Sequence, residues 1–174
     1  MSRSVITLGA VCALALNFAG TGSFAQEDTT KTPAGETSFS KKDGSTYQGQ
    51  AIKGVPEGHG AMRAADGEEY YGEFHDGAPS GEGLYQWADG TTFAGTFAGG
   101  APNGKGTFNF AEGISYTGEV RDGQPNGTGS FTYPNGTRYD GAAANGAPNG
   151  YGTLTRADGS TRTTNWVMGR PAEQ

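Results

Sequence analysis

Hydrophobic and polar positions along this chain alternate in short bursts separated by glycine. In "YYGEF" (70–74) the first, third and fifth residues are Tyr, Gly and Phe; in "FAGTF" (93–97) they are Phe, Gly and Phe. Strand side chains point alternately to opposite faces, so these residues share one side of a short strand. "YTGEV" (116–120) and "YDGAA" (139–143) repeat the pattern. A second kind of burst, "GEGLYQW" (81–87), "GKGTFNF" (104–110) and "GTGSFTY" (127–133), puts Gly, Gly, aromatic, aromatic on one face. Its other face carries Glu82, Leu84 and Gln86, or Lys105, Thr107 and Asn109. The pattern predicts paired strands with one face of rings and glycines and the other wet.

The bursts recur every 23 residues. Beyond residue 25, all glycines but Gly99 fall into five series of this spacing, one being Gly49, Gly72, Gly95, Gly118 and Gly141. Every proline but Pro134 shares one position of the repeat. Such a register marks a tandem array. The segments "ADG", "AEG" and "PNG" read as tight hairpin turns in which Asp-Gly and Asn-Gly accept positive φ. The Pro-containing stretch, as in "DGAPSG" (76–81), reads as the other loop, with Gly for positive φ and Pro to pre-set one φ. Gly81 and Gly83 are expected to leave room for neighbouring rings to lie over the backbone. "PAGETSFSKKDG" (33–44) matches the second half of a unit and "TTNWVMGRP" (163–171) the first half. Five full units flanked by two half-units give an all-β chain of about twelve strands.

The stretch "YYGEFHDGAPSGEGLYQWADG" resembles the MORN repeat (membrane occupation and recognition nexus), with its Tyr-x-Gly-x-Phe, its Gly-x-Gly and its closing Asp-Gly. The resemblance covers about residues 33–171. Ala51 and Ala143 replace the second aromatic, and Arg162 and Thr164 replace the last Tyr and Gly, so the outer units depart most. The resemblance implies a single-layer, elongated, twisted antiparallel sheet with a groove along one face. Relatives with known chemistry attach such repeats to a separate catalytic domain, and no stretch outside these repeats is long enough for one.

Residues 1–25 read differently. Arg3, the apolar run "VITLGAVCALALNFAG" and the small residues before Ala25 form a secretory signal pattern with cleavage after Ala25. Residues 26–32 then serve as a flexible tether and 172–174 as a tail. The expected destination is a periplasm or the exterior of a bacterial cell. Cys12 lies in the leader, so the exported part has no thiol chemistry. Loss of Arg3 with the leader takes the net charge from −6 to −7. Ten acidic side chains in residues 66–122 face only Lys105 and Arg121. That field repels phosphate backbones and anionic lipid, so nucleic acid is excluded as a partner and an anionic membrane is disfavoured.

The repetition offers no catalytic constellation, so no enzyme activity and no cofactor are expected. His75, beside Asp76 and near Glu73, and His59 lack ligand spacing; both are assigned solvent-facing roles and no metal is expected. The candidate binding surface is the ring face: Tyr70, Phe74, Tyr85, Trp87, Phe93, Phe97, Phe108, Phe110, Tyr116, Phe131, Tyr133 and Tyr139. These rings could serve as core alone, yet a one-layer sheet has no second layer to cover them, and exposed apolar surface marks binding. The leading expectation is a non-catalytic module for protein–protein contact or envelope assembly. A glycan or peptidoglycan chain stands second, and a lipid surface third. The sheet ends, with Trp166 at one of them, offer unpaired strand edges for a second copy.

Overall fold

A computed structural model describes residues 36–172. The leader, the tether, Pro33, Gly35 and the tail residues 173–174 lie outside the described residues. The array belongs to one compact unit, Pro33–Gln174.

The 23-residue period becomes a ladder of antiparallel hairpins. Strands β1 (Glu36–Ser40), β2 (Thr46–Ile52), β3 (Val55–Arg63), β4 (Glu69–His75), β5 (Ala78–Gln86), β6 (Thr92–Ala98) and β7 (Ala101–Asn109) are followed by six more. These are β8 (Ser115–Arg121), β9 (Gln124–Thr132), β10 (Arg138–Ala144), β11 (Ala147–Thr155), β12 (Thr161–Val167) and β13 (Arg170–Pro171). All thirteen lie in one open sheet in chain order, each bonded to its sequence neighbours. No helix occurs among the described residues. The extra strand over the expected twelve is the two-residue β13, which pairs Pro171 with Trp166.

The two loop types exchange the roles expected of them. His75 pairs with Ala78 and Phe74 with Pro79, so the loop of this hairpin is just Asp76-Gly77. Both residues have positive φ, 49° and 83°, the signature of a two-residue I′ turn. The "ADG" loop is the longer one. Trp87 N–H donates to Thr91 O at 2.9 Å, Gly90 N–H donates to Trp87 O at 3.0 Å, and Asp89 Oδ1 accepts the Thr91 N–H at 2.8 Å. Here the aspartate acts through its carboxylate and Gly90 alone of the pair takes positive φ.

Proline stands inside the strand rather than in a loop. Its carbonyl accepts the turn glycine of the next unit: Gly77 N–H to Pro56 O at 2.9 Å, Gly100 to Pro79 at 3.0 Å and Gly123 to Pro102 at 2.9 Å. The pairing slips beside it. Between Gly72↔Gly83 and Phe74↔Pro79, Glu73 alone opposes Ser80, Gly81 and Glu82. Such a bulge bends the strand and leaves residues unpaired on the ladder, where a proline without an N–H is tolerated.

Candidate interaction surface

The ring face is built around glycine pairs. Gly72 lies opposite Gly83, and the Tyr70 ring lies over both; a Cβ on Gly83 would stand inside that ring. The Tyr70 hydroxyl continues past the pair and donates to Glu73 O at 2.8 Å. Tyr47 does the same to Gln50 O at 2.5 Å, Tyr116 to Glu119 O at 2.7 Å and Tyr139 to Ala142 O at 2.8 Å. Phe93 occupies the position without a hydroxyl. Burial raises the phenol pKa of Tyr70, with the Glu73 charge adding to it, and pushes Tyr116 up to about 12. A hydroxyl so held stays a neutral donor at physiological pH.

Gly81 does not share this task. Its φ is +65°, and the space a Cβ would need is taken by the Glu73 carboxylate at 2.6 Å. The Gly81 expectation is therefore corrected: one glycine of the pair lies under a ring, and the other accommodates the bulge.

Of the rings expected on this face, Tyr70, Phe74, Phe93, Phe97, Phe108, Tyr116, Phe131 and Tyr139 are buried. They bury one another within and between units, edge-on at Tyr70–Phe74 and Tyr70–Phe97, both with centroids 5.0 Å apart, and tilted at Phe93–Phe108 and Tyr116–Phe131. Tyr85, Trp87, Phe110 and Tyr133 are half-buried at the margin of this core. Each leans on another ring. Tyr85 and Trp87 are 4.6 Å apart, Phe110 stacks on Phe108 at 5.1 Å and 7°, and Tyr133 stacks on Phe131 at 6.4 Å and 18°. The Tyr85 hydroxyl donates to the Glu68 carboxylate; burial first, and then this bond, raises its pKa. A small hollow of about 280 Å³ continues the ring face past Tyr133, bounded by Tyr139, Leu154 and Trp166.

Trp166 is spent inside the chain. It is buried, meets Tyr139 edge-on at 5.3 Å, donates Nε1–H to Gly152 O at 3.1 Å and pairs with Pro171. Its indole is therefore covered within one copy.

The larger concavity, about 690 Å³ and open, lies on the opposite face across β7–β10 and had no aromatic signal in the sequence. Lys105, Glu119, Ser130, Arg138 and Asp140 line it. Arg138 grips Asp140 through both Nε and Nη2 at 2.8–2.9 Å and holds that carboxyl below its usual range. Row residues Thr107 and Thr117 bond hydroxyl to hydroxyl at 3.0 Å. Alternation could have marked this row as polar, but not as concave.

His75 pairs with Glu57 of the preceding unit, not with Glu73, whose carboxylate is committed to the bulge.

These features define a tandem β-hairpin array with one ring face and one hydroxyl-rich face. The MORN repeat matches five consecutive segments, residues 47–69, 70–92, 93–115, 116–138 and 139–161, and the chain belongs to the MORN-repeat family. Each segment begins on the ring that covers the glycine pair. Repeats of this family are generally non-catalytic and typically serve as protein- or membrane-interaction modules. No curated protein matches the chain. Among solved structures, the TCP domain of SAS-4 (dCPAP) of Drosophila melanogaster, in complex with a proline-rich motif of Ana2 (dSTIL), is similar. That likeness covers 82% of this chain and 97% of the other at 11% identity and a TM-score of 0.34, and it carries no argument here.

Proposed function

We propose that this protein is a non-catalytic docking module, exported by its leader, that holds a partner protein against the half-buried rings of its central units. The observation that carries the reading is the row Tyr85, Trp87, Phe110 and Tyr133, left half-exposed beside a core that needs only the buried rings. Tyr and Trp bury large apolar area at low entropy cost and keep a polar tip, which suits them to interfaces. The signal pattern of residues 1–25 supports export to a periplasm or beyond, where envelope assembly would be the setting. The ten acidic side chains of residues 66–122 weigh against an anionic lipid surface.

A glycan chain stands second. Units two strands apart repeat at roughly 10 Å, which a polysaccharide could follow. Against it, Phe110 and Tyr133 already use one ring face on a buried neighbour.

In-cell photo-crosslinking from position 110 tests the reading. Phe108, on the same strand face, is only 3% exposed and would report on the core instead. A defined protein adduct from position 110, absent from position 108, is the expected result. Adducts of glycan or muropeptide mass would replace the protein reading by the second one. No adduct at all from the folded protein would contradict both.

A further inference from the structure

Repeats reveal a function most clearly where one unit breaks the pattern. At the junction of β3 with the β4–β5 turn, Glu57, His75 and Asp76 each bring one ligand-type atom within 4.8 Å of the others. Glu57 Oε2 accepts the Asp76 backbone N–H at 2.9 Å, which fixes the carboxylate, and Oε1 lies 3.0 Å from His75 Nδ1. Asp76 Oδ2 lies 3.6 Å from Nε2 on the other side of the ring. The same three positions hold Ser80, Ala98 and Gly99 one unit later, and Asn103, Arg121 and Asp122 after that. The next set is Asn126, Ala144 and Asn145. An imidazole between two carboxylates occurs at this junction alone of those four.

We propose that Glu57, His75 and Asp76 bind a borderline divalent cation, Zn²⁺, which fastens β3 to the β4–β5 turn. One imidazole nitrogen and two carboxylate oxygens, with water in the fourth place, match the donor set zinc takes. The set has too few oxygens for calcium. Zinc–ligand bonds of 2.0–2.2 Å require ligand atoms about 3.3 Å apart. Glu57 Oε1 and His75 Nδ1, now hydrogen-bonded at 3.0 Å, need part by only a few tenths of an ångström to admit the ion between them. An ion on Nδ1 then requires Asp76 to swing from the Nε2 side of the ring to the Nδ1 side, a rotation open to a side chain that is 89% exposed. The site lies apart from the ring row and does not depend on what that row binds.

The test is calorimetric titration of the exported chain with ZnCl₂, with the His75 ring followed by NMR. The control is the triple variant Glu57→Ser, His75→Ala, Asp76→Gly, which installs the residues the next unit carries and so keeps a backbone the fold already uses. The expected result is one Zn²⁺ per chain with the His75 ring signals shifted. Affinity should fall by at least about tenfold in the triple variant. His59→Ala should retain the binding. Equal affinity and stoichiometry in the triple variant, loss in His59→Ala, or unmoved His75 signals at saturation would overturn the proposal. So would the absence of binding heat at millimolar Zn²⁺.

Discussion

From β2 to β7 the rings form a relay in which each unit packs edge-on against the next; around β8–β10 the relay is interrupted. Tyr47 meets Phe74 at 5.1 Å, Phe74 meets Tyr70, Tyr70 meets Phe97 at 5.0 Å, and Phe97 meets Phe93 at 5.3 Å. The next residues at the Phe74 position are Val120 and Ala143, so neither Phe93 nor Tyr116 receives a ring from the following unit. There the cohesion comes from the second strand instead, through Tyr116–Phe131 at 4.6 Å and Phe131–Tyr139 at 6.2 Å. The glycine pairs persist through both regions, and the hydroxyl bonds of Tyr47 and Tyr70 in the first recur at Tyr116 and Tyr139 in the second. The ring over the glycine pair is therefore the constant of the fold, and the second ring is an addition to it.

The largest effect should come from breaking the relay. Phe97→Ala removes a buried ring shared by two units and should cost about 4 kcal/mol in urea unfolding. Phe97→Val, which copies the unit of Val120, should cost visibly less, about 2 kcal/mol. If the two variants lost the same amount, the relay would contribute nothing beyond burial. Gly106→Ala attacks the constant part: the new methyl group would stand inside the Phe93 ring, with the Ala94 carbonyl at 2.7 Å from it. Overpacking of this kind should cost about 3 kcal/mol. Tyr70→Phe removes the hydroxyl's bond to Glu73 O and its longer one to Ser80 O at 3.5 Å, and with Phe93 as natural precedent about 1 kcal/mol is expected. A loss well above that would show that the hydroxyl fixes the ring as well as bonding.

The smallest effect concerns pH. Glu57, first through its hydrogen bond and then through its charge, raises the His75 pKa above the usual 6.5, and Asp76 adds to it. A raised folded-state value means that protonated His75 contributes stability below the unfolded pKa, and that this contribution is lost as pH rises through the folded one. NMR titration should give His75 a midpoint above 6.5 that falls in Glu57→Ser. No change in Glu57→Ser would place the cause elsewhere.

Most of the fold could be read from spacing, because a 23-residue translation repeats every strand and turn. The ring face was readable from alternation at Tyr70, Gly72 and Phe74. Four features escaped. Pro79 sits in a strand because its carbonyl serves the next turn's Gly100 and its missing N–H falls beside a bulge. Local propensity, which places proline in loops, carries no trace of a bond 21 residues away. Gly81 and Gly83 look alike in sequence, yet the bulge turns one toward a carboxylate and the other under a ring. The pairing of Glu57 with His75 crosses a unit boundary; overlaying the units and asking which positions fail to repeat would have exposed it. The division of the rings into buried and half-buried was out of reach, since alternation assigns a face and not a depth.

Under the proposed function, buried rings hold the array together and the half-buried row is the surface offered to a partner. Paired measurement of Phe97→Ala and Phe110→Ala tests it most directly, each scored by unfolding free energy and by crosslinking from position 87. Phe110→Ala should cost only about 1 kcal/mol while abolishing the adduct. Phe97→Ala should lose about 4 kcal/mol, with the adduct kept wherever the chain remains folded. Equal destabilisation by the two, with the adduct indifferent to Phe110, would mean that the whole ring face is core and that the partner binds elsewhere.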